Sequence, residues 1–111
     1  MLIDAITLAT GAFLGGMGRA WLSTHLRSPW GTLVANAAAT FLLGVVFDAP
    51  LADWLLLVLG TGIAGALSTW STLAKEIAAS LQDKNWRLAA LTLGSNLCVG
   101  ALAWWAGAVV F

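Results

Sequence analysis

Four long apolar stretches separated by short polar turns set the pattern of this chain. Ala5–Gly18, Ser28–Phe47, Trp54–Ala74 and Leu88–Phe111 carry no charged residue. Each of them, the first extended through Arg19 to Trp21, is long enough to cross a bilayer core, which takes about 20 helical residues. The pattern predicts four transmembrane helices over approximately 2–22, 29–47, 53–75 and 87–110 in a single all-α domain, residues 1–111. The third is expected to start at Asp53, a good N-cap, and to end at Lys75 and Glu76. Asp4 stands where a secretion signal would be basic, so no cleavable leader is expected.

Composition strengthens this reading. Hydrophobic residues make up 60% of the chain and charged ones 9%, whereas a soluble domain carries roughly one quarter charged. A formal net charge of zero argues against a nucleic-acid partner. Cys98 is the single cysteine, which rules out an intrachain disulfide and leaves a small packing residue. Four short helices enclose very little, so a solute pathway calls for a second subunit.

Several positions break the apolar pattern. The third stretch holds Gly60, Gly62 and Gly65, then the hydroxyl run Ser68, Thr69, Ser71 and Thr72. Glycine loosens a helix, and hydroxyls bond to the backbone that a loosened helix frees. Two readings stand: close packing through small residues, or an interrupted helix whose free backbone groups hold an ion. The helix is expected to break near its middle. In the second stretch Thr32, Asn36 and Thr40 recur every four residues and share one face. A carboxamide in hydrocarbon is costly without partners. Asn36 therefore makes an interhelical hydrogen bond or donates to a partly dehydrated anion. The fourth stretch places Thr92, Ser95 and Asn96 in its first half. Gly11, Gly15 and Gly18 share a face of the first helix, suited to close approach of a neighbour. Arg19, which follows, either snorkels to the interface or offers a fixed positive charge at the mouth of an anion path. His25 is the only histidine and reads as a solvated loop residue. Trp30, Trp104 and Trp105 suit an interfacial belt.

Three of these segments together resemble the Fluc fluoride channels, also called CrcB. The run Gly11-Ala12-Phe13-Leu14-Gly15-Gly16-Met17-Gly18-Arg19 is similar to the family's first-helix pattern GGxxGAxxR. Either Thr10 replaces its first glycine or Gly11 is its second. Gly31-Thr32-Leu33-Val34-Ala35-Asn36 with Phe41-Leu42-Leu43-Gly44 resembles GTLxxNxxGSFLLG. Gly65-Ala66-Leu67-Ser68-Thr69-Trp70-Ser71-Thr72-Leu73 followed by Glu76 resembles GGLTTFSTFxxE. The resemblance runs along essentially the whole chain in order.

It implies a fluoride-selective channel in a prokaryotic cell membrane, giving passive efflux. It also implies an antiparallel dimer with two narrow pores. A structural sodium ion would sit at the dimer centre, held by backbone carbonyls that fall on Gly65 and Ser68 here. The family's pore asparagine falls on Asn36 and its glutamate on Glu76. The anion path then draws on Arg19, Thr32, Asn36, Thr40, Trp70, Ser71, Thr72, Thr92 and Asn96. Two departures stand out. Where the family presents two phenylalanines whose ring edges face fluoride, this chain has Trp70 and Leu73. Tryptophan keeps an edge and adds an indole N–H; leucine has neither. The family's fourth-helix tyrosine and serine match Thr92 and Asn96, or Leu91 and Ser95.

Other readings compete. A small proton-coupled multidrug exporter needs a titratable carboxylate deep in a span, and Asp4, Asp53 and Glu76 all lie near predicted span ends. A non-conducting partner of a paired fluoride channel fits the altered aromatics, and a holin-like pore former leaves the buried amides unexplained. No cluster of nucleophile, base and partner points to an enzyme. Charge placement adds an orientation. Arg19, Arg27, Lys75, Lys84 and Arg87 gather at the first and third loops, while the other side carries only Asp4, Asp48 and Asp53. Cationic loops stay in the cytoplasm, so both termini are expected outside. The preferred dimer partner is then a homologous chain of opposite bias, ahead of a second copy.

Overall fold

The computed structural model describes residues 1–27, 30–47 and 49–110. Ser28 and Pro29 of the first loop, Asp48 of the second and Phe111 at the end of the last stretch lie outside the described residues. The fold is helical throughout. Helix α1 is Leu2–His25 and α2 is Trp30–Phe47. Helix α3, residues 53–67, runs through an α turn at Asp53–Leu56, a π segment at Leu57–Ala64 and a last turn at Gly65–Leu67. Helix α4 is Trp70–Gln82 and α5 is Trp86–Ala108. Helices α3 and α4 are the two halves of the third predicted span, and the expected break lies between them.

Local chemistry fixes most of the ends. Asp53 is the first helical residue rather than the cap; Ala52 takes the cap position, its carbonyl accepting from the N–H groups of Leu55 and Leu56. Asp53 in the first turn still complements the helix dipole. Thr69 Oγ1 caps α4 by accepting from Thr72 N at 3.2 Å, and Asn85 Oδ1 caps α5 by accepting from Leu88 N at 3.2 Å. Helix α4 runs on past Lys75 and Glu76 to Gln82, seven residues beyond the expected end of that span, because charge marks where hydrocarbon stops and not where a helix stops. It closes in a tight turn with Lys84 left-handed at φ 56° and Asn85 N–H donating to the Ser80 carbonyl at 2.8 Å, as in a Schellman motif.

Packing is built from small residues. The buried apolar set is Ala35, Ala39, Val46, Ala64, Leu73 and Ala89, joined by Thr32, Thr69, Ser80, Thr92 and Asn96. The bulk points outward: Phe13, Trp21, Trp54, Leu97 and Leu102 are each more than half exposed. Cys98 is exposed as well, not packed inside. Polar groups inside and hydrophobic bulk outside is the arrangement that lipid, not water, rewards. The long dimension of 47 Å matches a bilayer with its interfacial regions, about 40–45 Å. Among the described residues, three helical stretches are long and apolar enough to cross: Trp30–Phe47, Asp53–Gln82 and Trp86–Ala108. The chain is a multi-pass membrane protein, with α1, which carries Asp4 and Arg19, laid along α2 and α3.

Glycine makes the close approaches possible. A Cβ on Gly44 would collide with the Trp104 carbonyl, and one on Gly107 with the Phe41 carbonyl, so α2 and α5 touch backbone to backbone. Gly11 and Gly15 do the same for α1 against Val58 and Ile63 of the π segment. Gly18, on the same predicted face, meets only the Leu67 side chain.

Candidate functional site

The site is organised by the break. Ser68 (φ −71°, ψ 153°) and Thr69 (φ −147°, ψ 116°) are extended. An extended residue turns its own N–H and C=O to the same side, where a continuous helix would bond each along its axis. At Thr69 both are met by the carboxamide of Asn36, thirty-three residues earlier. Thr69 N–H donates to Asn36 Oδ1 at 2.7 Å, and Asn36 Nδ2 donates to Thr69 O at 3.3 Å. Asn36 thus stands in for a neighbouring β-strand. Its Nδ2 also donates to Asn96 Oδ1 at 3.1 Å, and Asn96 Nδ2 donates to the Thr92 carbonyl at 2.8 Å. The glycines read as the weak point lie elsewhere: Gly60 and Gly62 sit in the π segment and Gly65 is helical. The hydroxyl residues after them are what break the helix.

The diversion frees a carbonyl. In an unbroken helix Gly65 O would accept from Thr69 N–H; here it accepts from the Ser68 hydroxyl at 3.3 Å. No group of three His, Cys, Asp or Glu is placed to hold a metal among the described residues, so a cation here would take carbonyl and hydroxyl oxygens. That donor set suits a hard ion. Gly65 is exposed, with open space on its Cβ side.

Two adjoining cavities lead from the break towards the end of the bundle that carries the first and third loops. The smaller, about 310 Å³, is lined by Arg19, Thr32, Thr69, Ser71 and Thr72 among others. The larger, about 510 Å³, shares Thr32 and Thr72 and adds Lys75, Glu76, Ser80, Asp83 and Thr92. Hydroxyl dipoles and a guanidinium make the inner cavity attractive to an anion, while the outer one mixes both signs of charge. Glu76 lies at mid-helix in α4, on the wall of the larger cavity.

Most of the residues read from the sequence meet here. Arg19, Thr32, Ser71, Thr72 and Thr92 line the cavities, and Asn36 and Asn96 join at their inner side. Thr40 is one turn beyond, its hydroxyl donating to the Asn36 carbonyl. Trp70 is 72% exposed and points out of the subunit, while Leu73 is buried. Of the two fourth-helix alignments, Thr92 and Asn96 are the inward pair; Leu91 is exposed and Ser95 Oγ donates to the Thr92 carbonyl at 3.2 Å. The reading missed Thr69 as the partner of Asn36, and Ser80 and Asp83 as lining. The signal for Thr69 was available: a hydroxyl residue three before Thr72 that caps the restarting helix.

The chain matches known proteins along nearly all of its length. It is 43% identical over 107 residues, 96% of this chain and 97% of the relative, to a protein of Corynebacterium diphtheriae named Fluoride-specific ion channel FluC 2. It is 36% identical to the Fluoride-specific ion channel FluC of Thermococcus onnurineus, covering 86% and 85% of the two chains. It is 37% identical to the Fluoride-specific ion channel FluC 1 of Geobacillus kaustophilus, covering 87% and 89%. Residues 6–108 match the family model described as CrcB-like protein, Camphor Resistance (CrcB). Matched from the first helix to the last, through the broken third helix and the polar interior, the chain belongs to the CrcB family.

Proposed function

We propose that this chain is a subunit of a fluoride-selective channel that gives passive efflux across the cell membrane of a prokaryote. The observation that carries the reading is the polar column inside an apolar bundle. Hydroxyls of Thr32, Ser71, Thr72 and Thr92 wall two joined cavities, with Arg19 beside them. The naming of its relatives as fluoride channels supports the choice of ion. Fluoride is small and strongly hydrated, so a selective path replaces its water with donors. In the conformation described, Asn36 gives its amide protons to Thr69 O and Asn96 Oδ1. It serves the anion by exchanging one of these for it.

The assembly we infer is an antiparallel pair, with a homologous chain of opposite charge bias favoured over a second copy. Gly65 and Ser68 would offer backbone carbonyls to a sodium ion between the subunits. Such an ion supplies fixed positive charge at the centre and is not itself transported. The exposed Trp70 edge beside the break would then face the partner's path, while buried Leu73 offers an anion nothing.

The test is fluoride efflux from liposomes, first with this chain alone and then with a homologous partner. Flux above protein-free vesicles in either case supports the channel; none in both overturns it. A second reading, the proton-coupled exporter, draws on Glu76 in the cavity wall. An imposed pH gradient that drives uptake of a lipophilic cation would favour it, whereas flux that follows the fluoride gradient alone would exclude it.

A further inference from the structure

We propose that Asn96 is a positioning residue: it fixes which way round the Asn36 carboxamide lies and so holds Thr69 in the extended form that breaks the third helix. A carboxamide is nearly symmetric in shape, and its two ends differ only in whether they donate or accept. Turned over, Asn36 would set donor against donor at Thr69 N–H and acceptor against acceptor at Thr69 O. The competing state is a continuous helix, in which Thr69 N–H returns to the Gly65 carbonyl. The break therefore persists only while Asn36 is held ready in one sense.

The structure holds it so by a chain of groups with one direction. The Thr92 carbonyl can only accept, and Asn96 Nδ2 donates a hydrogen bond to it at 2.8 Å. Asn96 Oδ1 is thereby turned to α2, where it too can only accept, and Asn36 Nδ2 meets it at 3.1 Å. Asn36 Oδ1 is left for Thr69 N–H, at 2.7 Å. Asn96 is 8%, Thr92 5% and Thr69 6% exposed, so the two ends are largely shielded, with Thr69 and Thr92 bordering the cavities and Asn36 half-buried between them. Hydrogen-bonded networks with every member satisfied in this way specify a single arrangement. The charged groups facing the chain are Arg19, in the cavity that reaches Thr69, and Lys75, Glu76 and Asp83, in the cavity that reaches Thr92. The links described run through amide and carbonyl groups.

This inference concerns the break and draws on the channel reading only for its consequence, since a lost break would close the path. The experiment is backbone carbon NMR of the full chain in lipid nanodiscs, read at Ser68 and Thr69. The native shifts should be of extended type. Asn96→Leu keeps the volume and removes both bonds; the ratio of extended to helical form should fall about tenfold, the worth of a hydrogen bond of this kind. Asn96→Asp supplies the sharper readout. Protonated, its O–H donates to the Thr92 carbonyl and its C=O accepts from Asn36, as in the native chain. Ionised, it loses the donation and sets a negative oxygen against that carbonyl. The Thr69 shifts should therefore move reversibly with pH in Asn96→Asp and stay still in the native chain. A residue that merely fills space would show no such titration, and the Asp variant serves where the Leu variant fails to fold. Extended shifts that persist in Asn96→Leu, together with no pH response in Asn96→Asp, overturn the proposal. Absence of fluoride efflux both with the native chain alone and with a homologous partner would remove the channel reading and leave these shifts as they are.

Discussion

The bonds Asn36 makes and the anion contact proposed for it pull its substitutions apart. Both sides of its carboxamide are committed, to Thr69 and to Asn96. Asn36→Ala strands a buried N–H and C=O at Thr69, and each unmet group costs about 1–3 kcal/mol. Asn36→Asp keeps the acceptor for Thr69 N–H but sets carboxylate oxygen against Thr69 O and Asn96 Oδ1, and places negative charge beside the proposed anion path. Both should lower fluoride efflux at least about tenfold, with the Asp variant the more severe at neutral pH. The check is efflux beside thermal unfolding in detergent; two variants with native flux and native stability would remove Asn36 from both roles. The costly residues were legible in the sequence, because an amide in hydrocarbon calls for an explanation wherever it stands. Their partners were not. The bonds of Asn36 span 33 and 60 residues, and no local pattern encodes a pairing between helices that far apart.

The third span shows what element-level patterns carry and where they stop. A run of glycines before hydroxyls marked an irregular helix correctly, but glycine and hydroxyl turn out to do different things. Gly60 and Gly62 lie in the π segment, where Gly62 packs on Gly11, and Gly65 meets nothing, while the restart of α4 uses Thr69 as a cap. Helix contacts give a direct comparison. Gly44→Ala drives a methyl group into the Trp104 carbonyl, whereas Gly94 has nothing within 4 Å of its Cβ direction. Gly44→Ala should destabilise by about 1–3 kcal/mol, the range for overpacking. Gly94→Ala should be neutral or stabilising by up to about 1 kcal/mol, the helix-propensity gain. Unfolding midpoints in one detergent compare the two, and equal midpoints would count against the backbone contact. The π segment makes a further prediction. Its i to i+5 bonding closes one residue more in each hydrogen-bonded ring than the i to i+4 bonding of an α-helix. Deleting the exposed Thr61 should let Leu57–Ala64 become regular helix and leave the protein folded, whereas deleting Leu97 from regular α5 turns the remainder by about 100° and should abolish folding. Yield of monodisperse protein separates the two outcomes.

At the scale of the molecule, the four helices, their order and the membrane as solvent were all readable from the apolar pattern. Assembly and orientation rest on charge. Arg19, Arg27, Lys75, Lys84 and Arg87 all lie towards the first and third loops, so a compartment reporter fused to the C-terminus should signal from the outer side only. Comparable signals from both sides would show a chain that inserts both ways and would favour a homodimer. The distribution of bulk has a thermal consequence. With small residues inside and tryptophan, leucine and phenylalanine against lipid, unfolding within a micelle moves little apolar surface into water. Heat capacity on unfolding tracks that exposure, about 12–15 cal/mol/K per residue for soluble domains. Calorimetry of this chain in detergent should find a step well below that range. Its stability should then change almost linearly with temperature, without the curvature that gives water-soluble domains a temperature of maximum stability and a cold limit.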